Sequence, residues 1–173
     1  MKKCLLTLSL ITFISFISQA QTITAAINSS VNSTVTGTPA LAPFISDTDI
    51  ENGLITDPVN FAVKSNRLWK LTTSITNIVG TPIAGGPASI TAPLQPLNIS
   101  WGVINGASGT VTSWTPFANA TTTTAAAIEA KTGTRGAASV TGNTFTLRYK
   151  VVPGFTVDPG TYAVDVTYTV SAQ

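Results

Sequence analysis

Carboxylates are the first residues to examine for chemistry, because the chain holds little else that could perform it. Of its seven Asp and Glu, four (Asp47, Asp49, Glu51 and Asp57) fall in one short stretch of a sequence with no histidine and a single cysteine. The run Asp47-Thr48-Asp49-Ile50-Glu51-Asn52-Gly53 sets oxygen ligands at alternate positions. Hard calcium prefers that donor type. The glycine comes one place late for an EF-hand loop, and no acid stands at the twelfth position. The same residues suit a solvated loop whose carboxylates cap a short helical turn. A pair of acids for glycoside hydrolysis can be drawn from Glu51 with Glu129 or Asp165, although nothing in their spacing brings two of them together.

Other chemistries are excluded by absence. Without histidine, and with the one cysteine at Cys4, a Ser-His-Asp triad, a Cys-His pair and the usual zinc sites are ruled out. No enzyme is expected and no cofactor is implied beyond the calcium option. Aromatic residues offer a different kind of site. Trp101 and Trp114 lie in strand-like segments flanking a turn rich in Gly, Asn and Ser. Exposed, they would stack on sugar rings as a carbohydrate-binding module does; buried, they would fill a core, as large aromatics in strands usually do.

At the start of the chain, Lys2 and Lys3 precede an apolar stretch from Leu5 to Ile17, and Ser18, Gln19 and Ala20 form a small-residue cleavage site. Residues 1–20 therefore read as a secretory signal peptide, too short for a membrane span. The mature chain, residues 21–173, has the length of one domain and carries no thiol, disulfide, lipid anchor or transmembrane anchor. It is expected to be secreted and to sit at the cell surface or outside the cell, with the periplasm as the other option. Losing Lys2 and Lys3 brings nine Lys and Arg into balance with seven Asp and Glu. A neutral, weakly charged chain lacks the basic footprint that nucleic acid requires. It also associates readily, because little charge keeps copies apart.

Hydrophobic periodicity supplies the elements. Phe145, Leu147, Tyr149 and Val151 alternate with Thr144, Thr146, Arg148 and Lys150, and Tyr162, Val164, Val166, Tyr168 and Val170 alternate with Thr161, Ala163, Asp165, Thr167 and Thr169. A period of two marks half-buried strands, so the chain ends in two amphipathic strands joined by a Pro/Gly connection. Val59–Lys64 and Leu68–Thr76 also read as strands, the latter with Trp69, Leu71, Thr73 and Ile75 on one side and Trp69 as a core anchor. Leu97–Val103 and Thr110–Thr115 are shorter ones. Thr38–Pro58 is a long connection with at most a short helical turn near Asp49–Gly53, and Gly80–Pro96, with four prolines, is a loop. Residues 118–138 mix good helix formers with four consecutive threonines and suit helix or loop equally. Short strands separated by turns predict an all-β antiparallel sandwich in a single domain, residues 21–173.

The N-terminal segment has two readings. Ile23, Ala25 and Ile27 share one parity, as do Val31 and Val35. Residues 21–36 are either the first strand of the domain's own sheet or an assembly strand donated to a neighbouring subunit.

One group of residues carries a resemblance. Arg67-Leu68-Trp69-Lys70-Leu71-Thr72, Arg135-Gly136 before Phe145, and Tyr149-Lys150-Val151-Val152-Pro153-Gly154 leading to Pro159-Gly160-Thr161-Tyr162 and Val166-Thr167-Tyr168-Thr169 resemble small secreted proteins common in Bacteroidetes. The closing pattern is similar to WxL surface domains of Gram-positive bacteria and to spore coat protein U type pilins. The resemblance covers about Phe61 to Gln173 and is specific over the last thirty residues. It implies an immunoglobulin-like β-sandwich at or beyond the cell surface, with a structural or adhesive, pilin-like role and no catalysis. Partners would be further copies or other surface proteins, with a glycan as the alternative.

Overall fold

The computed structural model describes residues 28–106, 109–117 and 123–173. The expected signal peptide, residues 1–20, and the first part of the N-terminal segment, residues 21–27, lie outside the described residues. Nine strands are described: β1 Val31–Thr36, β2 Leu54–Ile55, β3 Val59–Ser65, β4 Trp69–Pro82, β5 Ile99–Asn105, β6 Thr115–Pro116, β7 Ala125–Gly133, β8 Thr144–Val151 and β9 Gly160–Ala172. A short helix, α1, spans Asp47–Asn52, and a 3-10 turn at Pro96–Asn98 leads into β5. The larger sheet runs β1-β3-β8-β5-β6, with β2 also paired to β8, and the smaller runs β7-β4-β9. All the pairings are antiparallel. The expected all-β sandwich is what forms.

Alternation explains the layering. On β3, Val59, Phe61 and Val63 point inward; on β8, Phe145, Leu147, Tyr149 and Val151 do; and from the opposing sheet Trp69, Leu71, Ile75 and Ile78 of β4 meet them. Phe61 and Phe145, cross-strand partners, stack with ring centroids 5.0 Å apart, and Trp69 stacks on Phe145 from the other sheet at 5.8 Å. Burying each such side chain contributes roughly 1.5–3 kcal/mol, so this aromatic stack is the centre of the core. Because the strands alternate in direction, the sandwich has two distinct ends. At its upper end β3, β7 and β9 finish and β1, β4 and β8 begin; at its lower end lie α1, β2 and the start of β5 and β9.

Three segments depart from the sequence expectation. Residues 125–133 form strand β7, where helix or loop was expected. Pairing with β4 from Trp69 to Ile75 overrides the helix propensity of its alanines, and small side chains fit beside the bulky ones of β4. Residues 118–122 of that region lie outside the described residues. Gly80, Thr81 and Pro82 belong to β4, since its ladder with β9 continues to the Pro82–Gly160 pair. Of the strand expected at Thr110–Thr115, only Thr115 is in a strand, β6. The residues before it cross the outer face of the larger sheet, where a Cβ on Gly102 would meet the Val111 side chain at 2.1 Å. The two closing strands form as expected but do not pair with each other: β8 is central in the larger sheet, and β9 forms an edge of the smaller one.

The Pro/Gly connection between these strands is tied to the long loop after β4. Asp158 accepts hydrogen bonds from the backbone N–H groups of Thr91 and Ala92 (2.7 and 2.8 Å) and from the Thr91 hydroxyl (2.9 Å), while its own N–H donates to the Ala92 carbonyl. These donors hold its carboxyl below the ordinary value of 3.8, the Ala92 N–H first among them. A depressed folded pKa contributes stability above the unfolded value that is lost as pH falls through the folded one. Asp158→Asn should therefore be less stable than the parent at neutral pH. The difference should shrink as acidification goes below 3.8. Urea unfolding of both proteins at several pH values checks this, and a difference that is constant with pH would count against the carboxylate's role.

Candidate functional site

Each carboxylate expected to act as a ligand has a definite place. The calcium reading of Asp47, Asp49 and Glu51 required a loop, and the chain forms helix α1 instead. Ser46 is its N-cap: the Ser46 Oγ accepts from the Asp49 N–H at 3.1 Å, and the Asp49 carboxylate accepts from the Ser46 and Ile45 N–H groups at 3.0 and 3.2 Å. The Ser46 hydroxyl, then these amides, lower the Asp49 pKa. Alternate residues on a helix are turned by about 200°, so Asp49 faces away from Asp47 and Glu51. No group of three potential metal ligands gathers among the described residues. The capping alternative describes Asp49.

The acid pairs are also separated. Glu129 is the β7 partner of Thr72, and Asp165 is the β9 partner of Asn77, on opposite flanks of β4. Five strand positions along β4 correspond to roughly 16 Å, beyond the roughly 9.5 Å upper limit for an inverting pair. Glu51, on α1 at the lower end, belongs to a different region again.

Trp101 is buried, only 9 % exposed, and sits on the core face of β5 beside its β8 partner Tyr149. The reading of two exposed tryptophans is thus corrected: alternation turns Trp101 inward, and Trp114 alone is partly exposed. Deeper in the core, Tyr149 and Thr73 share a hydrogen bond of 3.0 Å. Burial, with a further contribution from Tyr168, pushes the Tyr149 phenol far above its ordinary range, and burial raises Tyr168 as well. Both remain protonated at neutral pH and cannot act as bases.

Of the assembly residues, Val31 and Val35 pair with Ser65 and Phe61 of β3 and so belong to the domain's own sheet, because β3 offers them a free edge. Ile23, Ala25 and Ile27 lie outside the described residues.

Two features were not foreseen. The first is the side of the sandwich between β1 and β9. The inward-facing set of β8 is fully buried, from 0 % exposed at Phe145 to 7 % at Val151, whereas the equally regular set on β9 is only partly buried. Opposite it, β1 presents Val31, Ser33 and Val35, and Val35 remains 43 % exposed. Tyr168 bridges inward to Phe61, edge to face at 5.2 Å. Both strands end their sheets. β1 carries no charge and β9 only Asp165. Edge strands are ordinarily guarded by charge, proline or a bulge.

The second is a cavity of about 820 Å³ at the upper end, lined by Ser29, Ser65, Asn66, Arg67, Arg135 and Gly136. An adjoining one adds Leu68, Thr134 and Gln173. The antiparallel Ser65–Gly136 bridge, with hydrogen bonds of 3.0 and 2.6 Å, brings the two arginine-bearing loops together. Arg67 and Arg135 are far apart in sequence, so only the strand directions reveal that they line one cavity. No family model matches the chain, and no curated protein matches it as a relative.

Proposed function

We propose that this chain is a secreted, non-enzymatic structural or adhesive subunit of the cell surface, with an immunoglobulin-like sandwich, that assembles like a pilin by accepting a strand from a second copy along its β1/β9 side. The observation that carries this reading is the contrast between β8 and β9: two strands of equal alternation, one sealed in the core and the other half covered at an unguarded edge. Added strands satisfy free backbone groups and bury alternate side chains. The occupant we assign is residues 21–27 of another copy, whose Ile23, Ala25 and Ile27 would enter beside Tyr162, Val164 and Val166. An extended segment of that length spans roughly 23 Å, enough to cover about half of β9. The chain enters the described domain at the upper end, where Asn66 Nδ2 donates to the Asn28 carbonyl at 2.7 Å.

Deletion of residues 21–27 from the secreted protein tests the reading, since β1 and the core remain intact. The parent is expected to give a heat-sensitive ladder on an unboiled denaturing gel and filaments by negative-stain microscopy. The deletion variant is expected to stay folded and monomeric. A parent that is monomeric throughout, or a variant that assembles equally well, would sink strand donation, and a glycan titration followed by Trp114 fluorescence would then be the next measurement.

A further inference from the structure

The charges of the described residues, seven of each sign, are largely sorted by end. Lys64, Arg67, Lys70, Lys131 and Arg135 all lie in the upper part, with Lys131 turned inward so that its ammonium stands 5.8 Å from the Phe145 ring centre. The other two cations among the described residues, Arg148 and Lys150, lie further down β8. Asp47, Asp49, Glu51, Asp57 and Asp158 lie at the lower end; of the remaining acidic side chains, Asp165 is midway along the smaller sheet, and Glu129, opposite Thr72, lies in the upper part at the level of Lys70 and Lys131. Among the described residues neither Arg67 nor Arg135 has a carboxylate partner, although both line the upper cavity. Exposed apolar side chains accompany both ends: Leu68, 55 % exposed, above, and Phe155 and Ile45, 66 % and 87 % exposed, below.

We propose that copies of this chain stack head to tail, the arginine-lined cavity of one receiving the Asp47 and Glu51 carboxylates on α1 of the next. Guanidinium groups pair with carboxylates through directed, charge-assisted hydrogen bonds. The apolar side chains at each end supply contact area, while the opposite charges set orientation and reject the head-to-head and tail-to-tail arrangements. Such a contact is heterologous and leaves one cationic and one acidic end unused, so it propagates as a filament rather than closing as a dimer. The inference rests on the reading of the chain as an assembling subunit, and the end at which the chain enters β1 is also the end that would face the next copy.

Charge reversal in the full secreted protein provides the test. Arg67→Glu with Arg135→Glu turns the cavity lining acidic, and Asp47→Lys with Glu51→Lys turns the exposed face of α1 basic, so that in each variant the two contact surfaces carry the same sign; Asp49 and Asp158 are left in place because they hold backbone amides. Sedimentation velocity should show the parent associating at low salt, with association weakened at least about tenfold on raising salt so that the screening length drops below about 10 Å. Each reversed variant alone should be monomeric, with unchanged tryptophan fluorescence showing that it is folded, and an equimolar mixture of the two should associate again. Folded variants that associate like the parent, or a mixture that stays monomeric, would overturn the proposal. So would a cavity that takes up sulfate while association ignores salt. The heat-sensitive ladder reads strand donation separately: a ladder that survives charge reversal leaves that reading standing while this one fails, and salt-labile stacking without a ladder does the opposite.

Discussion

Trp69→Ala is expected to lower the unfolding free energy by about 3–5 kcal/mol, the range for truncating a large buried aromatic. A domain of this size has roughly 5–15 kcal/mol in hand, so the variant should be close to unfolding at physiological temperature. Trp69 is completely buried and joins the two sheets through Phe145. Its Nε1 donates to the Thr134 carbonyl and to Asn143 Oδ1, both at 3.1 Å. Asn143, itself fully buried, passes the connection on by donating to the Ala137 carbonyl, and its own carbonyl accepts from the Val63 N–H. The indole thus fixes the turn before β8 as well as filling volume. Trp69→Phe keeps most of the packing but removes that donor, and about 1–3 kcal/mol is expected from the acceptors it leaves behind. Urea unfolding orders the three proteins; a loss below about 1 kcal/mol in the alanine variant would be incompatible with this role.

Gly133→Val should be nearly as damaging, by about 2–4 kcal/mol, at or above the usual range for overpacking. Gly133 is the β7 partner of Trp69, and a Cβ there would stand 2.0 Å from the indole Cζ2 and 2.2 Å from Cε2. The ring has no route of retreat, because Phe145 and Asn143 hold it from other directions. The two substitutions should therefore be strongly non-additive: with alanine at 69 the valine enters vacated space, and the double variant is expected to be more stable than the summed losses imply by about 1–3 kcal/mol. Strict additivity in the unfolding data would show that the glycine does not exist to admit the indole.

What could be read from the sequence, and what could not, divides along physical lines. Alternation identified β8 and β9 and placed Trp69 in the core, because period and burial are local properties of a strand. Partnership is not local. Nothing in Tyr162 to Val170 says that this strand joins β4 at an edge and leaves its inner face half covered, whereas Phe145 to Val151, with the same pattern, lies at the centre of the other sheet. The alanines of β7 misled for the reverse reason: their intrinsic preference is helical, and only the neighbouring β4 makes a strand of them. Trp101 could be read either way, since a tryptophan in an alternating segment looks the same whether its face is inside or out. Arg67 and Arg135 became a pair only through the Ser65–Gly136 bridge.

The ladder between β4 and β9 pairs Trp69 with Ala172 and Pro82 with Gly160, joining the middle of the chain to its far end. Contacts at such separation make folding slow, since a long loop must close before they form. A nascent chain lacking its final strand cannot complete the smaller sheet, and Trp69, Leu71 and Ile75 then have no finished core to enter. The smaller sheet therefore closes only once Gly160–Ala172 has been synthesised, and until then the inner face of β4 stays open to water.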